Sequence, residues 1–166
     1  MENEFLDIVD SKGNTTGTAS REDVHRNRLL HKVVHLLVFN SSGELLLQKR
    51  SRSKEIEPGK WDTSVGGHVH SGETVRSALF REMQEELGLT SCSTEFLYSY
   101  LYSGSVEKEM VHSFRCTFDG EFSFNKTEID EIKFWRPDDI SEQLQSDVFS
   151  DHFREEFNHY REHLKR

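Results

Sequence analysis

Glu82, Glu85 and Glu86 crowd behind Arg81 in the stretch REMQEELGL. Residues four apart on a helix share a face, and those three apart nearly do, so Glu82 and Glu86 stack with Glu85 beside them. Like charges at that spacing cost an exposed helix roughly 0.2–0.5 kcal/mol per pair, and something should compensate. Arg81 stands four before Glu85 and can hold it in a bidentate pair. Glu82 and Glu86 are then left for a hard divalent cation, which prefers carboxylate oxygen. The plain alternative is a solvated charged face. Upstream, Gly66 and Gly67 allow close approach of backbone, so a carbonyl there could join the carboxylates around a metal.

The elements that must position these groups are legible in outline. Val75, Leu79 and Met83 recur at a helical interval and predict a helix over 74–87, preceded by Ser71 or Gly72. Glu73 sits at its N-terminal end, and Gly88 can close it in the left-handed region. FLDIVD (5–10), HKVVHLLVFN (31–40) and LLLQKR (45–50) read as strands, the last two joined into a hairpin by NSSGE. SRSKEIEPGKWD reads as a loop with a Pro-Gly turn, and TSVGGHV holds a few extended residues. Further strands are expected at 95–102, 109–118 and 132–135. A short and a longer helix follow over about 138–164, where Phe149, Phe153, Phe157, Tyr160 and Leu164 keep helical spacing. The pattern is α/β: a mixed sheet with a central helix and C-terminal helices packed against it.

The chain has 166 residues, a size that suits one domain spanning 1–166. A formal charge of -9 argues against long nucleic-acid polymers, which demand a basic footprint. It does not exclude a small phosphorylated substrate, because a bound divalent metal reverses the local field. The apolar run near 33–39 is too short to span a membrane. No basic leader and apolar segment open the chain, so a cytoplasmic setting is expected, with Cys92 and Cys116 reduced.

The residues from Gly67 through Glu73 to Arg81-Glu82-Met83-Gln84-Glu85-Glu86-Leu87-Gly88-Leu89 match every fixed position of the Nudix hydrolase signature, which they resemble over 67–89. The resemblance implies an α/β/α sandwich with a central mixed sheet, in which this motif forms a loop–helix–loop. It implies hydrolysis of a nucleoside diphosphate derivative or another small diphosphate with Mg2+ or Mn2+. Glu82 and Glu86 would be the principal metal ligands, and Glu85 a further ligand or the carboxylate that helps activate water. Arg81 would orient them, the Gly66 carbonyl would complete the metal shell, and Glu73 would buttress the loop.

The stretches from His31 through FNSSGELLLQKRS and PGKWDTSVGGHVHSGE look like the branch containing type I isopentenyl-diphosphate isomerase and its bacterial hydrolase-like relatives. In that branch His31, His68, Glu107 and Glu109 match a second metal site, while His25 falls one position out of register with another ligand. The isomerase carries a catalytic cysteine where this chain has Gly66. Diphosphate hydrolysis is therefore expected over isomerisation or a non-catalytic diphosphate-binding module. His31 and His35, four apart on a strand, point to the same face and could equally cap or line a pocket; His70 and His112 are read as ordinary polar positions.

A carboxylate must take the proton from the attacking water. Glu85 and Glu128 are the candidates, with Glu131 as a third, and crowding of like charges should raise the proton affinity of such an acid. Arg50, Lys54 and Lys60 flank the loop before the motif and could clamp phosphates. Trp61 is a core candidate that could also stack on a substrate base. The expected partner is a small-molecule diphosphate, with a homodimer among the expected assemblies.

Overall fold

In the computed structural model, which describes residues 4–166, β3 (His31–Phe39) is the axis of the sheet. Its β-branched and leucine-rich sequence HKVVHLLVF is buried almost throughout, as a central strand requires. Along one edge it pairs in parallel with β8 (Lys108–Thr117), from His31 opposite Glu109 to Phe39 opposite Thr117. Three strands share the other edge in turn. β1 (Phe5–Val9) meets it at His31, β6 (Val65–His68) from Val33 to Leu36, and β4 (Leu45–Arg50) only at Phe39. The expected β3–β4 hairpin thus shrinks to one residue pair, because β6 occupies the edge that β4 would use. β4 instead pairs along its length with β9 (Ile129–Trp135) and, over two residues, with β5 (Trp61–Asp62). β7 (Glu95–Ser103) lies antiparallel on the far side of β8.

Alternation along β3 builds a core on each face. Val34, Leu36 and Val38 pack with Ala78, Leu79, Met83 and Leu87 of α2 (Val75–Leu87). Leu37 and Phe39 pack on the opposite face with Trp61, Trp135 and the stripe Phe149, Phe153, Phe157 and Tyr160. That stripe belongs to α4 (Asp151–Leu164) and the residues just before it, and α3 (Pro137–Gln143) adds Ile140. A mixed sheet between helices, an α/β/α sandwich, results. Leu164 departs from the stripe, lying 62% exposed where the helix ends.

The short β5 falls at the end of the stretch read as a loop, and two further elements escape the sequence reading. β2 (Thr15–Ser20) is polar and pairs only with β1, and α1 (Arg21–Arg26) is six residues long with Val24 alone buried. Neither carries enough periodic apolar residues to announce itself. Ser20 caps α1, its hydroxyl accepting from the Asp23 N–H at 3.2 Å. The cap of α2 is Thr74, not Ser71 or Gly72; its Oγ1 accepts from the Ser77 N–H at 3.1 Å. At the other end Gly88 takes φ 64°, and Leu89 N–H reaches back to the Met83 carbonyl at 3.2 Å. Cys92 and Cys116 are free thiols in the α2-side core. Among the described residues no helix is long and apolar enough to cross a membrane.

Candidate active site

The C-terminal turns of α2 point their acids into a cleft of about 320 Å³, floored by β3, β6 and β4. Glu86 is buried at its base. Its carboxylate accepts from the Gly66 N–H at 3.0 Å and from the Gln48 side-chain amide at 3.1 Å. An extended residue sends its N–H and C=O to the same edge of the strand, so the Gly66 carbonyl opens toward the side on which Glu86 stands. Glu82 approaches the β6 backbone so closely that a Cβ built on Gly67 would lie 2.1 Å from its Cδ. Gly67 is therefore obligatory for this packing. Glu85 is more exposed, at the cleft rim.

Arg81 organises the group, though not as its spacing suggested. Its bidentate partner is Glu73, with Nε donating to Oε2 at 2.9 Å and Nη2 to Oε1 at 3.0 Å. Glu85 receives only a 3.3 Å contact and Glu82 a 2.7 Å hydrogen bond, both from Nη1. Glu73 takes the bidentate place expected of Glu85 because, folded back from the loop, it offers the guanidinium a planar fork that a helical neighbour cannot. Nη2 also donates to the His68 carbonyl at 2.8 Å, so the arginine ties β6, the loop and α2 together. Burial pushes Glu73 up, but Arg81 and the His70 N–H outweigh it and leave the carboxyl below its ordinary value. The reverse holds for the inner acids. Burial lifts Glu82 to about 7 and Glu86 well above the carboxylate range, with repulsion from Glu82 adding to the second. Two enclosed carboxyls with so few donors fit a divalent cation, whose charge would favour their ionised forms.

A second cluster reaches the same cleft through His68, Glu107 and Glu109. Imidazoles of His25, His31 and His68 stand with ring centroids 5.1–5.9 Å apart, and His68 is close to Glu107 and Glu109. The parallel β3–β8 register sets Glu109 opposite His31, and α1 delivers His25, whose Nε2 lies 3.4 Å from Glu107. The one-position offset of His25 does not keep it out, because a short helix, not a strand, carries it. His31 Nδ1–H donates to the Leu29 carbonyl at 2.9 Å, which leaves Nε2 as a bare lone pair, buried and without a hydrogen-bond partner among the described residues. Burial lowers the His31 pKa to about 4, so the ring stays neutral at ordinary pH. A neutral imidazole with its far nitrogen pinned and its near nitrogen unsatisfied fits a metal ligand. His152 at the start of α4 joins the cluster, 2.9 Å from Glu107 and 3.3 Å from Glu109.

Other expected positions divide. Arg50 and Lys54 line the cleft, Arg50 braced by Asp62 at 3.2 Å and Lys54 lying 3.6 Å from Glu128. Glu128 lines it too, whereas Glu131 lies exposed on β9 away from it. Lys60 and Trp61 do not reach it. Lys60 is drawn to Asp147 at 2.5 Å, and Trp61 is buried against Trp135 in the second core. His70 lies at the rim, bound to Glu4 at 3.0 Å, and His112 bonds Ser99 on β7 instead. Sequence reasoning missed Glu4, Gln48, His152 and Glu156. Of these, Glu156 left a signal: a carboxylate inside the apolar stripe of α4 must be paired to be buried.

The comparisons agree with this geometry. A family model described as the NUDIX domain matches residues 29–157. An uncharacterised Nudix hydrolase of Yersinia pestis is 32% identical over 138 residues, covering 83% of this chain and 76% of the relative. A protein named isopentenyl-diphosphate Delta-isomerase 2, from Photorhabdus laumondii, is 34% identical over 136 residues, covering 79% and 76%. Among solved structures, the DR0079 protein of Deinococcus radiodurans superposes with a TM-score of 0.81 at 27% identity, covering 94% of this chain and 98% of that one. Motif, cleft, sandwich and relatives converge, and the chain belongs to the Nudix family, in the branch where proteins named Nudix hydrolases and isopentenyl-diphosphate isomerases meet.

Proposed function

We propose that this chain is a pyrophosphohydrolase that cleaves a diphosphate linkage in a nucleoside diphosphate derivative or a related small diphosphate. One observation carries this reading. The complete motif sets half-buried Glu82 and buried Glu86 together, beside a Gly66 that has no side chain for other chemistry. Glu82, Glu86 and Glu85, with the Gly66 carbonyl, would hold Mg2+ or Mn2+. Such an ion would neutralise the diphosphate oxygens and lower the pKa of a coordinated water. Gln48 and the Gly66 N–H aim Glu86, and Arg81 aims Glu82. Arg50 and Lys54 supply positive charge across the cleft from the acids. Glu128 would take the water's proton: it lines the cleft 3.6 Å from Lys54 and near enough to Glu86 to raise that acid's proton affinity; Glu85 at the rim is the other candidate.

The second cluster favours a second reading, isomerisation of a prenyl diphosphate, as two relatives are named isomerases. His31, His68, Glu107 and Glu109, with His25, would hold a transition metal there, since imidazole and carboxylate suit such ions. Against this reading stands Gly66. It has no proton to exchange, and Cys92 and Cys116 lie in the α2-side core. Two assays separate the readings. Nucleoside diphosphate derivatives, dinucleoside polyphosphates and prenyl diphosphates are each incubated with magnesium and manganese, and phosphate products are measured. Isopentenyl diphosphate is incubated in deuterated water. Phosphate release without deuterium exchange supports hydrolysis; robust exchange without release replaces it with isomerisation and makes Glu109 the first proton donor to examine.

A further inference from the structure

Beneath the cleft, between its two clusters, lies a polar group that neither reading uses. Glu156 of α4 is 0% exposed, wholly within the second core layer. Its Oε1 accepts from Ser113 Oγ–H and from His35 Nδ1–H at 2.9 Å, and its Oε2 accepts from the Tyr98 hydroxyl at 2.5 Å. Three donors from three strands converge on one carboxylate. Burial pushes this carboxyl up, and those donors more than offset it, leaving it below its ordinary value. An ionised carboxylate can only accept, so His35 must carry a proton on Nδ1.

Tyr98 and Ser113 point at Glu156 and end there. His35 does not. It is 6% exposed, lines the cleft, and its Nε2 makes no hydrogen bond with a described residue. Across the strand pair it faces Gly66. A Cβ placed on Gly66 would lie 3.3 Å from His35 Cδ2 and 3.6 Å from Nε2, tighter than ordinary carbon packing at the first contact. A water oxygen, by contrast, comes to roughly 2.7–3.0 Å from an imidazole nitrogen when it donates to it. A side chain at 66 would thus crowd the imidazole, and the glycine leaves that side of His35 uncovered. Its neighbour across Gly66 is Glu86, which binds the same glycine's N–H.

We propose that His35 is a further catalytic residue, whose Nε2 accepts a hydrogen bond from the attacking water, and that Glu156 is its positioning residue. The assignment rests on the hydrolysis reading. In the step, the water oxygen forms a bond to phosphorus and the bridging P–O bond breaks. The electron pair leaves on the departing phosphate, and the water's proton passes to a cleft carboxylate. His35 fixes the direction of the oxygen lone pair and does not retain the proton. Glu156, by holding the hydrogen on Nδ1, keeps Nε2 an acceptor. This resembles the way a buried carboxylate holds a histidine's tautomer in hydrolytic triads.

The amide nitrogen of asparagine overlays Nδ1 of histidine, whereas the end of glutamine overlays Nε2. His35→Asn therefore keeps the bond to Glu156 and removes the acceptor; His35→Gln restores an acceptor near the cleft. The expected result is that His35→Asn retains its circular dichroism and melting temperature while kcat falls on the order of 10²-fold, as for a misplaced reactant. KM changes little, because the lost contact is with water and not substrate. His35→Gln recovers part of that loss. Independently, long-range proton–nitrogen NMR of the wild-type protein should show His35 protonated on Nδ1. Its Nε2 resonance should move when magnesium methylenediphosphonate, a non-hydrolysable probe, is added. Full turnover in a folded His35→Asn, a hydrogen on Nε2 instead of Nδ1, or an Nε2 resonance indifferent to the probe would each overturn the proposal alone. Wild-type protein that turns over no diphosphate would overturn the hydrolysis reading, and this inference with it.

Discussion

At the scale of single residues, close approach does more than charge counting to define the cleft. Gly67 is the sharpest case, because the neighbour its Cβ would strike is the carboxylate end of Glu82, a flexible group that can swing aside. Gly67→Ala should therefore fold, with a cost within the roughly 1–3 kcal/mol of an overpacked site. Glu82 would be displaced, and turnover should fall on the order of 10²-fold. Thermal melts and rates against magnesium concentration check both halves; unchanged rates would show that Glu82 has room to spare. Glu73 gives a pH prediction with a definite sign. Its carboxyl is held below the ordinary value, so its bond to Arg81 adds stability that is fully present above the unfolded-state pKa near 4.5. That stability is lost as pH falls through the lower folded-state value. Glu73→Gln should thus flatten the acid limb of the melting-temperature profile and leave the neutral limb nearly parallel to wild type. The motif glutamates were legible in the sequence, whereas Arg81's true partner was not. Spacing reports helical neighbours, and Glu73 reaches Arg81 from outside the helix.

At the scale of elements, α4 links the second core to the cleft. Its Phe153, Phe157 and Tyr160 pack beneath the sheet, while His152 and Glu156 reach into the polar groups above. Ser150 starts the helix, buried, with its hydroxyl accepting from the Phe153 N–H at 3.0 Å. Ser150→Ala should cost about 0.5–2 kcal/mol in denaturant titrations, the usual loss for an N-cap. The effect should be larger on hydrogen exchange in the first turn, next to His152, than at the C-terminal end of α4. Uniform loss along the helix would mean that the cap does not act locally. The stripe of this helix was plain from its phenylalanines. Its contribution to the cleft was not, because the placing of His152 depends on how α4 docks, which no local pattern records. α1 was hidden for a related reason: six residues with one buried side chain carry no period, yet they bring in His25.

At the scale of the whole molecule, the parallel β3–β8 pair makes two metal-type clusters share one cleft. It sets His31 beside Glu109, and α1 and β6 then supply His25 and His68. Both clusters were visible as residue types, but their union depends on long-range register, which sequence spacing cannot give. The second cluster predicts that manganese or zinc raises the melting temperature of wild-type protein by mass action on the folded state. His31→Ala should lose much of that rise while magnesium-dependent turnover persists; an undiminished rise would place the ion elsewhere. In the proposed reaction water attacks phosphorus in a diphosphate bound through the metal ion that the motif acids would hold. The most direct measurement is turnover of the best diphosphate substrate in oxygen-18 water with magnesium, followed by phosphorus NMR of the products. One solvent oxygen is expected on one phosphate product per turnover in the wild type, and none in a folded Glu86→Gln variant within the same time. Product formed without solvent oxygen on phosphorus, or labelling that survives Glu86→Gln at the wild-type rate, would rule out attack by water at phosphorus under control of the motif acids.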